Sequence, residues 1–147
     1  MGAEGRLDAK RIKNAVVESL ASGLIASAIV VRNASVSFFV HDSKGLGPSK
    51  NTQTPPGDPN TASAPGVLTG NLRQSIDYDD REVRSSTPNA KVGTPIFYGK
   101  IHEFGGQYGN AKYPARPFLR PALFNNREKV LTTMQKNFLR KFKELMR

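Results

Sequence analysis

Cysteine and tryptophan are absent from the 147 residues, and histidine occurs only twice. Without thiols there is no disulfide framework, no thiolate zinc site, no iron–sulfur cluster and no cysteine nucleophile. That composition suits a reducing cytoplasm. Long apolar runs are missing too. The longest uncharged one, Ser19 to Val31, has 13 residues and includes three serines and a glycine, short of the roughly 20 that a bilayer span requires. It is expected to be a core helix, with no membrane partner. The polar stretch Met1 to Lys13 leads us to expect no secretory leader. At this length the prior is one domain, 1–147, able to bury a core without cross-links.

Acids are scarce, 12 against 22 lysines and arginines, and the net charge of +10 is unevenly spread. From Ala111 to Arg147 ten basic residues face two acidic ones, hence +8; the first 110 residues hold twelve and ten, hence +2. A basic end fits nucleic acid, an acidic partner or simply a solvated helix face.

Ile12, Val16, Leu20, Leu24, Ala28 and Val31 recur at three- and four-residue steps, which predicts a helix from about residue 8 to about residue 30, with Asp8 as its N-cap. Val30 to Val40 reads two ways. Val36, Phe38 and Val40 alternate as in a strand, while Val31, Ala34 and Phe38 continue the helical face. Lys44 to Val67 holds five prolines, four glycines and no aromatic, too little apolar surface to offset the entropy of ordering. It is either a surface loop or an extended arm that orders against a neighbouring subunit.

Thr69 is a candidate cap for a short turn. Ile76 and Tyr78 then alternate with charged residues, Ser85 to Asn89 is turn material, and Ala90 to Thr94 pairs back, so 75–94 is expected to be an antiparallel hairpin. Phe97, Ile101 and Phe104 mark two helical turns stopped by Gly105 and Gly106. Pro121 suits a first helical turn, where its missing amide costs nothing. Beyond it, Leu123, Val130, Leu131, Met134, Phe138, Phe142 and Leu145 share one face. Lys129, Lys136, Arg140, Lys143 and Arg147 share the opposite one. The apolar stripe is expected to dock on the sheet. The fold class is therefore α+β: an N-terminal helix, a small antiparallel β-sheet with a long loop, and a long C-terminal amphipathic helix.

Catalytic groupings are hard to find. His102-Glu103 lacks the second histidine of a zinc-protease helix, and His41 stands alone. Gly45 to Lys50 lacks the glycine spacing of a phosphate loop, and Pro48 removes an amide such a loop needs. Asp77, Asp79 and Asp80 have no twelve-residue calcium loop after them, and they discourage edge pairing of a strand. We expect no enzyme activity, no cofactor and no metal. Arg116-Pro117-Phe118-Leu119 is more informative. The proline keeps Arg116 extended, either as a surface arginine at a helix lead-in or as a fixed arginine locking a carboxylate. Glu103 is the expected partner.

Three clusters occur in order. The first is Thr69, Gly70, Leu72, Ser75 and Ile76 (TG-x-L-x-x-S-I), preceded by Pro55-Pro56-Gly57. The second is Val92, Gly93, Tyr98, Glu103 and Gly105. The third is Ala115, Arg116, Pro117, Phe118, Leu119, Pro121, Ala122 and Leu123 (A-R-P-F-L-x-P-A-L). From about Pro55 onward the chain resembles the tail-completion and head–tail joining family of long-tailed bacteriophages, whose relatives include the Mu-type virion morphogenesis proteins. The insert before Thr69, His102 and the Gly106–Tyr113 linker depart from the pattern. The resemblance implies a structural virion protein that forms a ring, commonly of six subunits, at the head–tail junction or tail end. Its implied partners are its own copies, head–tail connector or adaptor proteins, and the tail tube or tail terminator protein, with DNA passing through the channel. It implies the virion neck or tail as location, and the host cytoplasm during assembly. No family catalytic residue carries over. The rival is a small basic protein that binds DNA through phosphate contacts of Lys129, Lys136, Arg140, Lys143 and Arg147.

Overall fold

A computed structural model describes residues 8–39 and 70–147. Along them run α1 (Ala9–Ser37), α2 (Asn71–Gln74), β1 (Asp77–Asp79), β2 (Lys91–Gly93), α3 (Phe97–Phe104), β3 (Gly106–Tyr108), β4 (Ala111–Tyr113), α4 (Leu119–Asn125) and α5 (Arg127–Met146). The class is mixed α+β. Thr69, His41, Gly45–Lys50, Pro55–Gly57 and the whole Lys44–Val67 arm lie outside the described residues.

Asp8 caps α1 as its side-chain chemistry dictates: the carboxylate accepts from Lys10 N at 2.9 Å. The helix does not stop near residue 30. It runs on to Ser37, so the alternation of Val36 and Phe38 is not a strand. The reason lies in the core. Phe39, just past the helix, packs edge-on against Phe118 with ring centroids 5.1 Å apart, and Leu72 and Ile76 complete that buried cluster.

The buried line of α1 is not its large apolar residues. Ala15, Ser19, Gly23, Ser27, Val31 and Ser35 are buried, at strict four-residue steps, while Val16 and Ile29 stay exposed. Small side chains let α5 approach closely. A Cβ on Gly23 would stand 2.9 Å from Met134 O, and Ser27 Oγ donates to Val130 O at 3.1 Å. The serine hydroxyls on this line cost little to bury because they bond within the helix: Ser19 to Ala15 O at 2.6 Å and Ser35 to Val31 O at 2.9 Å. Arg11 reaches Leu145 O while Ser27 reaches Val130, so α1 and α5 run antiparallel.

Two corrections concern the sheet. There are two separate two-stranded sheets, β1–β2 and β3–β4. In the first, Tyr78 pairs with Val92 and Asp77 with Gly93. The second hairpin, Gly106 opposite Tyr113, occupies the stretch read as a linker. Its Gly109-Asn110 turn, with Gly109 at φ +59°, is a hairpin signal that few flanking apolar residues supported.

Two more concern the C-terminal segment. It is not one helix: the chain breaks at Asn126 between α4 and α5. There the Asn126 side-chain amide donates to Ala122 O at 2.8 Å, replacing the backbone bond that would continue the helix. Nor does α5 dock on the sheet. It lies along α1, and none of its residues is fully buried. Its stripe is shared out instead: Val130, Met134, Phe138, Phe142 and Leu145 are half-buried, and Leu123 of α4 and Leu131 are exposed.

Candidate assembly site

Among the described residues, Glu103 accepts more hydrogen bonds than any other side chain. It sits in the last turn of α3, only 2 % exposed. Its Oε2 accepts from Phe118 N at 2.8 Å and Leu119 N at 2.9 Å; its Oε1 accepts from Arg120 N at 2.9 Å and Arg120 Nε at 3.1 Å. The Arg120 guanidinium also donates to Glu103 O at 2.6 Å and lies over the Phe104 ring, 4.8 Å from its centroid. The first amides of a helix have no intrahelical acceptor. At α4 no side chain of the cap residue supplies one. Glu103, fifteen to seventeen residues earlier, does so from outside, where the helix dipole also favours its negative charge.

Arg116 is buried, but the carboxylate expected to pair with it belongs to Arg120 and the α4 amides. The Arg116 N–H donates to His102 O. Burial pushes the guanidinium below its ordinary pKa. His102, half-buried, is also lowered, first by burial and then by the nearby Arg116 charge. Gly105 ends α3 at φ +73°, with Ala115 N 3.0 Å from where a Cβ would stand. Only glycine combines that backbone with that proximity.

The other motif residues converge on the same joint. Gly70, at φ +80°, opens α2. Ser75 Oγ bonds Leu72 O at 2.8 Å and shares a 2.7 Å hydrogen bond with Thr94 Oγ1. Leu72, Ile76 and Phe118 are buried together, and Tyr98 and Leu119 pack on them. Gly99, between Tyr98 and Glu103, faces Leu72 Cδ1 at 3.2 Å from its would-be Cβ. Pro117 and Pro121 are buried, and Gly93 sits in β2 opposite Asp77. Thr69 lies outside the described residues. Lys129, Lys136, Arg140, Lys143 and Arg147 are elsewhere, all exposed along α5.

Around this rigid joint, apolar side chains face solvent. On α3 and the β3–β4 hairpin, Phe97 (64 % exposed), Phe104, Tyr108 and Tyr113 are uncovered, with Phe97 and Tyr108 touching at 5.6 Å between centroids. On α4 and α5, Leu123, Phe124 (66 % exposed), Leu131 and Leu139 are uncovered. Pro121, Leu123, Phe124, Val130 and Leu131 line a groove rimmed by Arg120 and Arg127. Helical spacing correctly grouped Phe97, Ile101 and Phe104, yet the inner face of α3 carries Gly99 and Glu103. Arg120 was missed as Glu103's partner. The available signal was Pro121 in a first turn, which implies free amides at 118–120 in need of an acceptor.

Among the described residues no three metal-binding side chains come together. Asp79 of the acidic strand is taken by Arg81 at 2.6 Å. No protein-family model, curated protein or solved structure matches the chain.

Proposed function

We propose that this chain is a non-enzymatic assembly protein of a tailed bacteriophage or prophage that forms a homo-oligomeric ring, of six subunits by its resemblance, at the head–tail junction or tail end. The observation that carries self-association is the pair of exposed apolar faces on one small chain: the aromatic face of α3 and β3–β4, and the Leu123–Phe124–Leu131 face of α4 and α5. Exposed apolar surface of this kind marks an interaction site. Two patches of different composition, aromatic and aliphatic, can meet head to tail, and such contacts give a ring when the rotation closes. The place in the virion rests on the three motif clusters. Of their described residues, Leu72, Ile76, Tyr98, Glu103, Phe118 and Leu119 meet in one joint, and a joint held by Glu103 fixes the angle at which α4 presents its outer side chains.

The test is direct. Light scattering and negative-stain imaging of the purified chain are expected to show closed rings of one copy number. Phe124→Glu should yield folded monomers. Heads and tails from a lysate deficient in this chain should join only when the wild-type protein is added. A wild-type chain that remains monomeric up to its solubility limit would overturn the reading.

A further inference from the structure

The exposed side of α5 carries a feature the ring does not require. Lys129, Lys136, Arg140, Lys143 and, at the C-cap, Arg147 follow one another at steps of 7, 4, 3 and 4 residues. At about 100° per residue these five fall within roughly 60° of arc, along about 27 Å of helix at a rise of about 1.5 Å per residue. All five are exposed. The opposite side of α5 is committed to α1, so the row cannot rotate inward.

Several other surface cations are paired. Arg84 is bound to Glu18 at 2.7 Å, Arg81 to Asp79, Lys91 to Glu82 at 3.1 Å, and Lys141 to Glu144 at 2.9 Å. Among the described residues no member of the α5 row has an acidic partner. Arg140 hydrogen-bonds the neutral Asn137 Oδ1, at 3.4 Å, and its charge also acts on Glu144, whose ion pair is with Lys141. Other exposed lysines without an acidic partner, such as Lys100 and Lys112, are scattered over separate elements, whereas the α5 cations stand in one row.

We infer that the α5 row is a binding surface for the phosphate backbone of duplex DNA. A straight row of cations on one helix matches a partner whose own charges are closely spaced and continuous, about one phosphate per 3.4 Å of each strand. An acidic protein surface seldom offers that, since it intersperses cations. A membrane surface would also require a broad apolar side for insertion, and of the large apolar residues on α5 only Leu131 and Leu139 are exposed. The row holds no aromatic for base stacking and no amide pair for reading base edges. Binding is therefore independent of sequence and released by salt. The inference does not depend on ring formation, because a single chain carries the whole row.

The experiment is fluorescence anisotropy of the full-length chain with two labelled duplexes of unrelated sequence across a salt series. Five phosphate contacts give a slope of log K against log salt of about −4.5 per chain, a roughly 500-fold loss between about 50 and 200 mM. The triple variant Lys136→Gln/Arg140→Gln/Lys143→Gln should bring the slope to about −2 and weaken low-salt binding by at least about tenfold. The double variant Lys100→Gln/Lys112→Gln, exposed lysines on α3 and β4, should bind like wild type. Circular dichroism melts of all three proteins should coincide, because exposed charges contribute little to stability. No duplex binding at low salt, an unchanged slope in the triple variant, or a strong preference for one duplex would each overturn the inference. So would polyglutamate or phosphatidylserine vesicles displacing DNA at equal charge.

Discussion

The Glu103 joint and helix α5 are built on opposite principles. In the joint, a carboxylate, three backbone amides, Arg120, Phe118, Ile76 and Leu72 are drawn together from four segments, and the carboxylate and the three large core side chains are buried. In α5, twenty residues of strong amphipathic pattern bury none completely. The pattern alone would rank α5 as the centre of the fold. What ranks a segment is the number of independent partners that must agree on its position. The joint answers to strands, a short helix and a helix terminus at once. α5 answers chiefly to α1, through a seam of small residues, and leaves half its surface for other molecules.

If that contrast is right, substitutions should separate the two regions. The largest loss is expected from Glu103→Ala. It orphans three amides at the start of α4, each worth about 1–3 kcal/mol when a buried group loses its only partner; with Leu119 only half-buried and Arg120 exposed, water recovers part of this and a total of about 3–5 kcal/mol is expected in chemical denaturation. Phe118→Ala should cost a similar ~3–5 kcal/mol through the cavity left. Against a total stability of ~5–15 kcal/mol, either change leaves a marginal fold. A Glu103→Ala protein melting within a degree or two of wild type would mean that the α4 amides find water without penalty, and the joint would lose its standing.

Gly23→Val comes next. Its side chain would run into the Met134 backbone, with a Cβ at 2.9 Å from Met134 O and 3.2 Å from Met134 Cγ. Overpacking of this kind costs about 1–3 kcal/mol. Amide exchange should accelerate along α5 but not at Phe118 or Leu119. Equal acceleration in both places would show that the two regions unfold as one.

Phe138→Ala is smaller. Phe138 stacks on Phe142 at 5.9 Å between centroids but is only half-buried. We expect about 1–2 kcal/mol, below the full-core value. A loss as large as that of Phe118→Ala would place α5 in the core after all.

The mildest effect concerns pH. Burial beside Arg116 holds His102 below its ordinary value of 6.5. The unfolded chain therefore binds this proton more readily than the folded one. The contribution of His102 is fully present above about pH 6.5 and is lost as pH falls through the lower, folded value. His102→Gln should flatten that part of the stability curve. A wild-type curve that rises toward acid pH over the same window would contradict the assignment.

Much of this protein was legible one segment at a time. Asp8 as a cap, the β1–β2 hairpin, the two turns of α3 with their glycine stop, and the outward basic row of α5 all follow from interactions within a few residues, which a linear sequence displays directly. Whether 30–40 was helix or strand could not be read there, because the answer was Phe39 meeting Phe118 across 79 positions. The same holds for Arg120 displacing Arg116 as the partner of Glu103. Both arginines were near enough in sequence, and only the direction of α4 decided which guanidinium faced the carboxylate. The split into two small sheets and the docking of α5 on α1 instead of a sheet were likewise decided in three dimensions. Small residues such as Gly23 and Ser27 are quiet in a hydrophobicity pattern, yet they permit the closest backbone approach, and that approach is visible only once both helices are in place.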